Sequence, residues 1–127
     1  MNRQIIKTAN APKAVGMYSQ GVLSANFVYT SGQIPIDPKT GDLITEDITG
    51  EIRQVLKNLN AVLLEGGSSL NSAVKLTVFL TDLHYFSDVN KVFKEFFTNK
   101  SPARSTVQVS ALPMGARVEI EAIGIIE

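Results

Sequence analysis

Seven apolar residues, Ile48, Ile52, Val55, Leu56, Leu59, Val62 and Leu63, repeat at three- and four-residue steps between Asp47 and the pair Gly66-Gly67. That period puts them on one stripe of an amphipathic helix, which must bury the stripe against another element. Asp47 or Thr49 can cap its start, and Gly66-Gly67 supplies the left-handed backbone that helix C-termini often use.

What surrounds this helix alternates with period two. Val74, Leu76, Val78 and Leu80 predict a strand with that set toward the helices and Lys75, Thr77 and Phe79 on the other side. Gln4–Thr8 predicts a short first strand. Val22–Ala25 and Phe27–Ser31 predict a hairpin about Ala25-Asn26, rich in β-branched and aromatic residues. A second helix follows Asp82, with Phe86, Val89, Phe93 and Phe96 or Phe97 on its buried side and His84 in its first turn as a bystander. Pro102 fits a strand entry and places Arg104 near the strand end. The last strand runs from about Arg117 to Ile126. The order is strand, hairpin, helix, strand, helix, strand, strand. It predicts a single α+β domain over residues 1–127, a six-stranded mixed sheet with two helices packed on one face.

Composition removes several kinds of chemistry. The 127 residues contain no cysteine and one histidine, so thiol nucleophiles, thiolate zinc sites and disulfide frameworks are out of reach, and no metal or other cofactor is expected. Twelve cations balance twelve anions, and no basic run stands out. That argues against a broad nucleic-acid surface. The N-terminus lacks a signal-peptide core and no stretch reaches membrane-spanning length, so the expectation is a soluble cytoplasmic protein.

The sheet face away from the helices is expected to carry Phe79, Arg104, Thr106, Gln108, Glu119, Ile123 and Ile125. Large apolar groups on an open face mark association, and ionic groups among them serve a ligand or a partner. Copies of the chain meeting there would enclose a cleft suited to a small anion.

Five segments in order, Gly16-Met17-Tyr18-Ser19-Gln20, Ser31-Gly32-Gln33-Ile34-Pro35, Asp88-Val89-Asn90, Pro102-Ala103-Arg104-Ser105 and Glu119-Ile120-Glu121-Ala122-Ile123, resemble the RidA (YjgF/YER057c/UK114) family over nearly the whole chain. The resemblance implies a chorismate-mutase-like fold, a homotrimer with active sites between subunits, and hydrolysis of 2-iminobutanoate and 2-iminopropanoate to 2-oxo acids and ammonia. Arg104 would hold the substrate carboxylate, since a guanidinium grips it by two parallel hydrogen bonds that a lysine cannot reproduce. By the family motif Glu119 would position and deprotonate the attacking water. Glu121 has the same parity, so alternation alone does not choose between the two.

Tyr18, Ser31, Gly32, Ser105 and Thr106 would shape or contact the ligand. Asn90 matches as well, although its side chain also suits a local backbone contact. Met17 stands where a proline is common, and Thr106 where the best-known members have cysteine. Two other readings remain open: an endoribonuclease or translation inhibitor, and a noncatalytic binder of 2-oxo acids.

Overall fold

The computed structural model describes residues 2–127. The amphipathic stripe becomes α1 (Ile48–Glu65), started by Asp47, whose carboxylate accepts from the Gly50 amide at 3.0 Å. Gly67, at φ 92°, supplies the left-handed residue after it, while Gly66 remains right-handed. Ile52, Val55, Leu56, Leu59, Val62 and Leu63 are all completely buried. They pack on a sheet whose strands are β1 (Arg3–Ile6), β2 (Gly21–Ser24), β3 (Phe27–Thr30), β4 (Ala73–Leu80), β5 (Ala103–Gln108) and β6 (Val118–Ile125). The spatial order is β1-β2-β3-β6-β4-β5. All neighbours are antiparallel except β4 and β5, which run parallel and are connected through α2 (Phe86–Phe96).

The predicted architecture is present: six strands in a mixed sheet, two helices, and a hairpin turning at Ala25-Asn26. The first strand lies slightly earlier than expected. Leu76, Val78 and Leu80 face the helices with Val118 and Ile120, all fully buried. Val74 leaves that set and is 40% exposed, because the pairing of β4 with β6 shifts register between Ala73 and Lys75, and a bulge reverses the direction of side chains on either side of it. On α2 the buried residues are Val89, Val92 and Phe93; Phe86 is exposed, contrary to expectation.

The larger correction concerns β5. Its register sets Arg104 beside Leu76, Thr106 beside Val78 and Gln108 beside Leu80. Neighbours in register point to the same side of a sheet, so these three residues belong to the helix-bearing face and not to the open one. Alternation divides a strand into two sets, and pairing decides which set faces which way. The open face instead carries Phe79, Glu119, Ile123 and Ile125, as expected, with Glu121, Phe27, Tyr29 and Val107 beside them. Phe27, Tyr29 and Val107 are all about two-fifths exposed, which leaves apolar surface on the open face of the sheet.

One ionic brace ties the layers together. Arg117, immediately before β6, donates through Nη2 to Glu51 Oε2 and to the Glu46 carbonyl oxygen (2.6 and 3.1 Å), and through Nε to Glu51 Oε1 at 3.2 Å. Its guanidinium lies 5.4 Å from the Tyr85 ring centroid. The Glu51 side chain is only 8% exposed, so removing its partner strands a buried carboxylate. Arg117→Met is expected to lower stability by about 2–3 kcal/mol, less than for a sealed pair because the guanidinium is partly in water. Denaturant unfolding monitored by circular dichroism measures it.

Among the described residues, no helix is long and apolar enough to cross a membrane.

Candidate active site

Two separate clusters hold the residues singled out from the sequence, on opposite faces of the sheet.

The first surrounds Glu119. The segment after β3 runs alongside β6, with Gln33 and Ile120 exchanging two backbone hydrogen bonds, N–H to O at 2.9 and 3.0 Å. This pairing lays Gly32 against the neighbouring carboxylate: a Cβ at Gly32 would overlap the Glu119 side chain. Glycine is needed there for close approach. A cleft of about 760 Å³ opens at this point, bordered by Tyr18, Ser31, Gly32 and Glu119, with Ile34, Ile36 and Met114 among its apolar walls. Buried Asn58 on α1 fixes one wall, its Nδ2 donating to the carbonyls of Ile34 and Ile36 at 3.3 and 2.9 Å. Ser31 is held by the Gln20 carbonyl, to which its N–H and hydroxyl donate at 2.8 and 3.1 Å.

Glu119 and Glu121 share the open face but not an environment. Glu119 is half-buried in the cleft, and Glu121 is exposed and outside its lining. Burial, with a smaller contribution from the Glu121 charge, raises the Glu119 carboxyl above the usual carboxylate range. A carboxylate short of solvation beside open space is suited to taking a proton from water.

The second cluster surrounds Arg104. Its Nη2 donates to Asn90 Oδ1 at 2.8 Å, so Asn90 holds the arginine and not local backbone. Phe86 and Phe93 flank the guanidinium, with ring centroids 5.2 and 5.0 Å from Cζ. Sequence periodicity assigned both rings to the core; it could not show that an edge strand would bring an arginine onto them. Among the described residues no carboxylate pairs with Arg104, the ion pairs being Arg53–Glu95 and Arg117–Glu51. Partial burial lowers its pKa, which still leaves the group cationic. A desolvated cation with one neutral partner retains donors for an anion.

Thr106 lies on the same side of β5 with its hydroxyl buried and unpartnered among the described residues. Ser105 points the other way, its hydroxyl 2.8 Å from Lys75 Nζ. Neither these two residues nor Arg104 and Asn90 line the cleft. No group of three or more His, Asp or Glu side chains among the described residues is placed to hold a metal ion.

Comparison with known proteins identifies the family and agrees with the fold. Residues 8–126 match the endoribonuclease L-PSP family. The human 2-iminobutanoate/2-iminopropanoate deaminase is 45% identical over 123 residues, covering 97% of this chain and 90% of that protein. The crystal structure of a protein of the conserved Rid family from Yersinia pestis superposes with a TM-score of 0.95 at 49% identity, over 98% of this chain and 100% of the other. E. coli TdcF, solved with bound serine, gives 0.92 at 42% identity, over 98% and 99% of the two chains. A match across almost the entire length, carried on the same α+β sheet, places the chain in the Rid (YjgF/YER057c/UK114) family, also called endoribonuclease L-PSP.

Proposed function

We propose that the protein hydrolyses small 2-imino acids, such as 2-iminobutanoate and 2-iminopropanoate, to 2-oxo acids and ammonia in sites shared between subunits of a homotrimer. The observation that carries this reading is the separation of the two clusters. Arg104 can fix a carboxylate and Glu119 can activate water, yet they lie on opposite faces of one sheet with β4 between their strands. A substrate of four carbons cannot reach both within one chain. The arginine half-site of one subunit facing the carboxylate half-site of its neighbour resolves this, and the apolar open face offers the surface for such an assembly. Relatives named as imine deaminases and one solved with bound serine, a small amino acid, support the substrate class.

The chemistry follows from the groups. Arg104 takes the carboxylate with its free donors while Asn90 and the two phenylalanines keep the guanidinium in plane. Glu119 accepts a proton as water oxygen attacks C2 of the protonated imine, giving a tetrahedral carbinolamine. It returns the proton to nitrogen, the C–N bond breaks, the hydroxyl proton is released, and ammonia leaves behind a carbonyl. Tyr18 borders the space where that nitrogen would sit.

The family's other name suggests RNA cleavage. Equal numbers of cations and anions give no broad attraction for a polyphosphate, and that reading requires RNA affinity that falls steeply with salt. The deciding experiment feeds 2-iminobutanoate from a dehydratase and follows 2-oxobutanoate. Acceleration over the spontaneous rate is expected, and its absence contradicts the proposal.

A further inference from the structure

Gln20 stands in the motif Gly16-Met17-Tyr18-Ser19-Gln20 and at the lining of the cleft, takes no part in the chemistry described so far, and is almost completely buried, at 4% exposure. Its Oε1 accepts from the Thr8 amide at 2.7 Å. Its Nε2 faces three carbonyl oxygens, those of Thr8, Ala11 and Pro12, at 3.0, 3.3 and 2.7 Å. A primary amide has two N–H donors, and here both are shared among three carbonyl acceptors, one buried and two part-buried.

These contacts fix the entry to the segment that supplies Pro12, Lys13, Val15 and Tyr18 to the cleft. Beyond Pro12 that segment has little else to hold it: Tyr18 N–H donates to the Gly16 carbonyl at 2.9 Å, and Val15 N–H reaches the Tyr18 hydroxyl at 3.4 Å. Met17 is fully exposed where a ring-constrained residue would have stiffened the turn. The backbone carbonyl of Gln20 meanwhile anchors Ser31, next to Gly32 and hence to Glu119.

We infer that Gln20 is a positioning residue, which holds the Tyr18 segment at a set distance from Glu119 and thereby sets the fit of the substrate. This rests on the imine-hydrolase reading for its kinetic consequence, though not for its structural one. Gln20→Met keeps the volume and removes every side-chain hydrogen bond, leaving the buried Ala11 carbonyl and the part-buried Thr8 and Pro12 carbonyls without this donor.

The test is a double-mutant cycle with Tyr18→Ala, joined to amide hydrogen exchange on the intact protein. Gln20→Met is expected to raise KM about tenfold with a smaller change in kcat, and to change KM less than twofold when Tyr18 is already alanine. Exchange of the Val15 and Tyr18 amides, the two in that segment with a hydrogen-bond acceptor, is expected to quicken at least tenfold while amides of β3, β4 and β6 keep their protection. An equal effect in both backgrounds, or unchanged exchange in that segment, overturns the inference. Should Gln20→Met fail to fold, Gln20→Asn carries the same cycle, because it keeps a neutral amide but ends one methylene short of the carbonyls that Gln20 reaches. Absence of turnover in the unsubstituted protein would contradict the proposed function instead, and the exchange result would still decide the role of Gln20.

Discussion

Arg104→Ala is expected to lower kcat/KM for 2-iminobutanoate hydrolysis about 10³-fold, equivalent to about 4 kcal/mol of lost transition-state binding. The loss is large because the guanidinium is partly desolvated and lacks an ionic partner among the described residues, so an anion is its natural complement. Arg104→Lys should recover only a small part of the rate, since a point charge cannot make two parallel bonds or stack between Phe86 and Phe93. Asn90→Ala, which frees the guanidinium to rotate, should cost about tenfold, mainly in KM, through one lost hydrogen bond. Steady-state kinetics of the three variants, with circular dichroism as a check on folding, measures the series. Turnover unchanged in Arg104→Ala would remove this side chain from the mechanism.

Glu119→Gln should reduce kcat by about 10²- to 10⁴-fold while 2-oxo acid binding survives, because the amide keeps the shape and loses the base. The pH dependence follows from the direction of its shift. Burial raises the carboxyl, and the base must be ionised, so activity should fall as pH drops through a value above the ordinary carboxylate range. Stability runs the other way. A carboxyl whose folded pKa exceeds its unfolded one contributes stability that is complete below the unfolded pKa and is lost as pH rises through the folded value. At neutral pH the ionised Glu119 therefore destabilises the fold, and Glu119→Gln should be more stable than the parent while nearly inactive. Gly32→Ala tests the same carboxylate from its neighbour, since the added methyl displaces it from the cleft. Glu121→Gln, altering a charge outside the cleft lining, should leave turnover within about twofold.

The legible and illegible parts of the sequence divide along a physical line. Helix α1 could be read because its stripe, its Asp47 cap and its glycine end all agree, and the hairpin could be read from two short strands about Ala25-Asn26. The faces of β5 could not. Its alternation is clear, but only the parallel pairing with β4 turns Arg104 toward α2, and the apolar Val107 then faces outward on the side proposed to meet another subunit. The expectation that Arg104 and Glu119 would share the open face failed for that reason, and its failure is what motivates the proposal of a site shared between subunits. Alternation likewise left the choice between Glu119 and Glu121 open, and only the family motif favoured the first. That choice depends on Gln33 pairing with Ile120, a contact across 87 residues of chain that no local period records. Gln20 and Asn58 escaped notice as functional supports because a buried amide is recognisable only by the carbonyls it satisfies.

The central claim, that one subunit supplies Arg104 and another Glu119, is tested most directly by mixing two inactive variants. Arg104→Ala and Glu119→Gln chains would be unfolded together in equal amounts, refolded and assayed against each variant refolded alone. In a ring of shared sites assembled at random, about one interface in four joins an intact arginine to an intact glutamate, so about a quarter of the parent activity should return. A mixture no more active than its components would contradict the account.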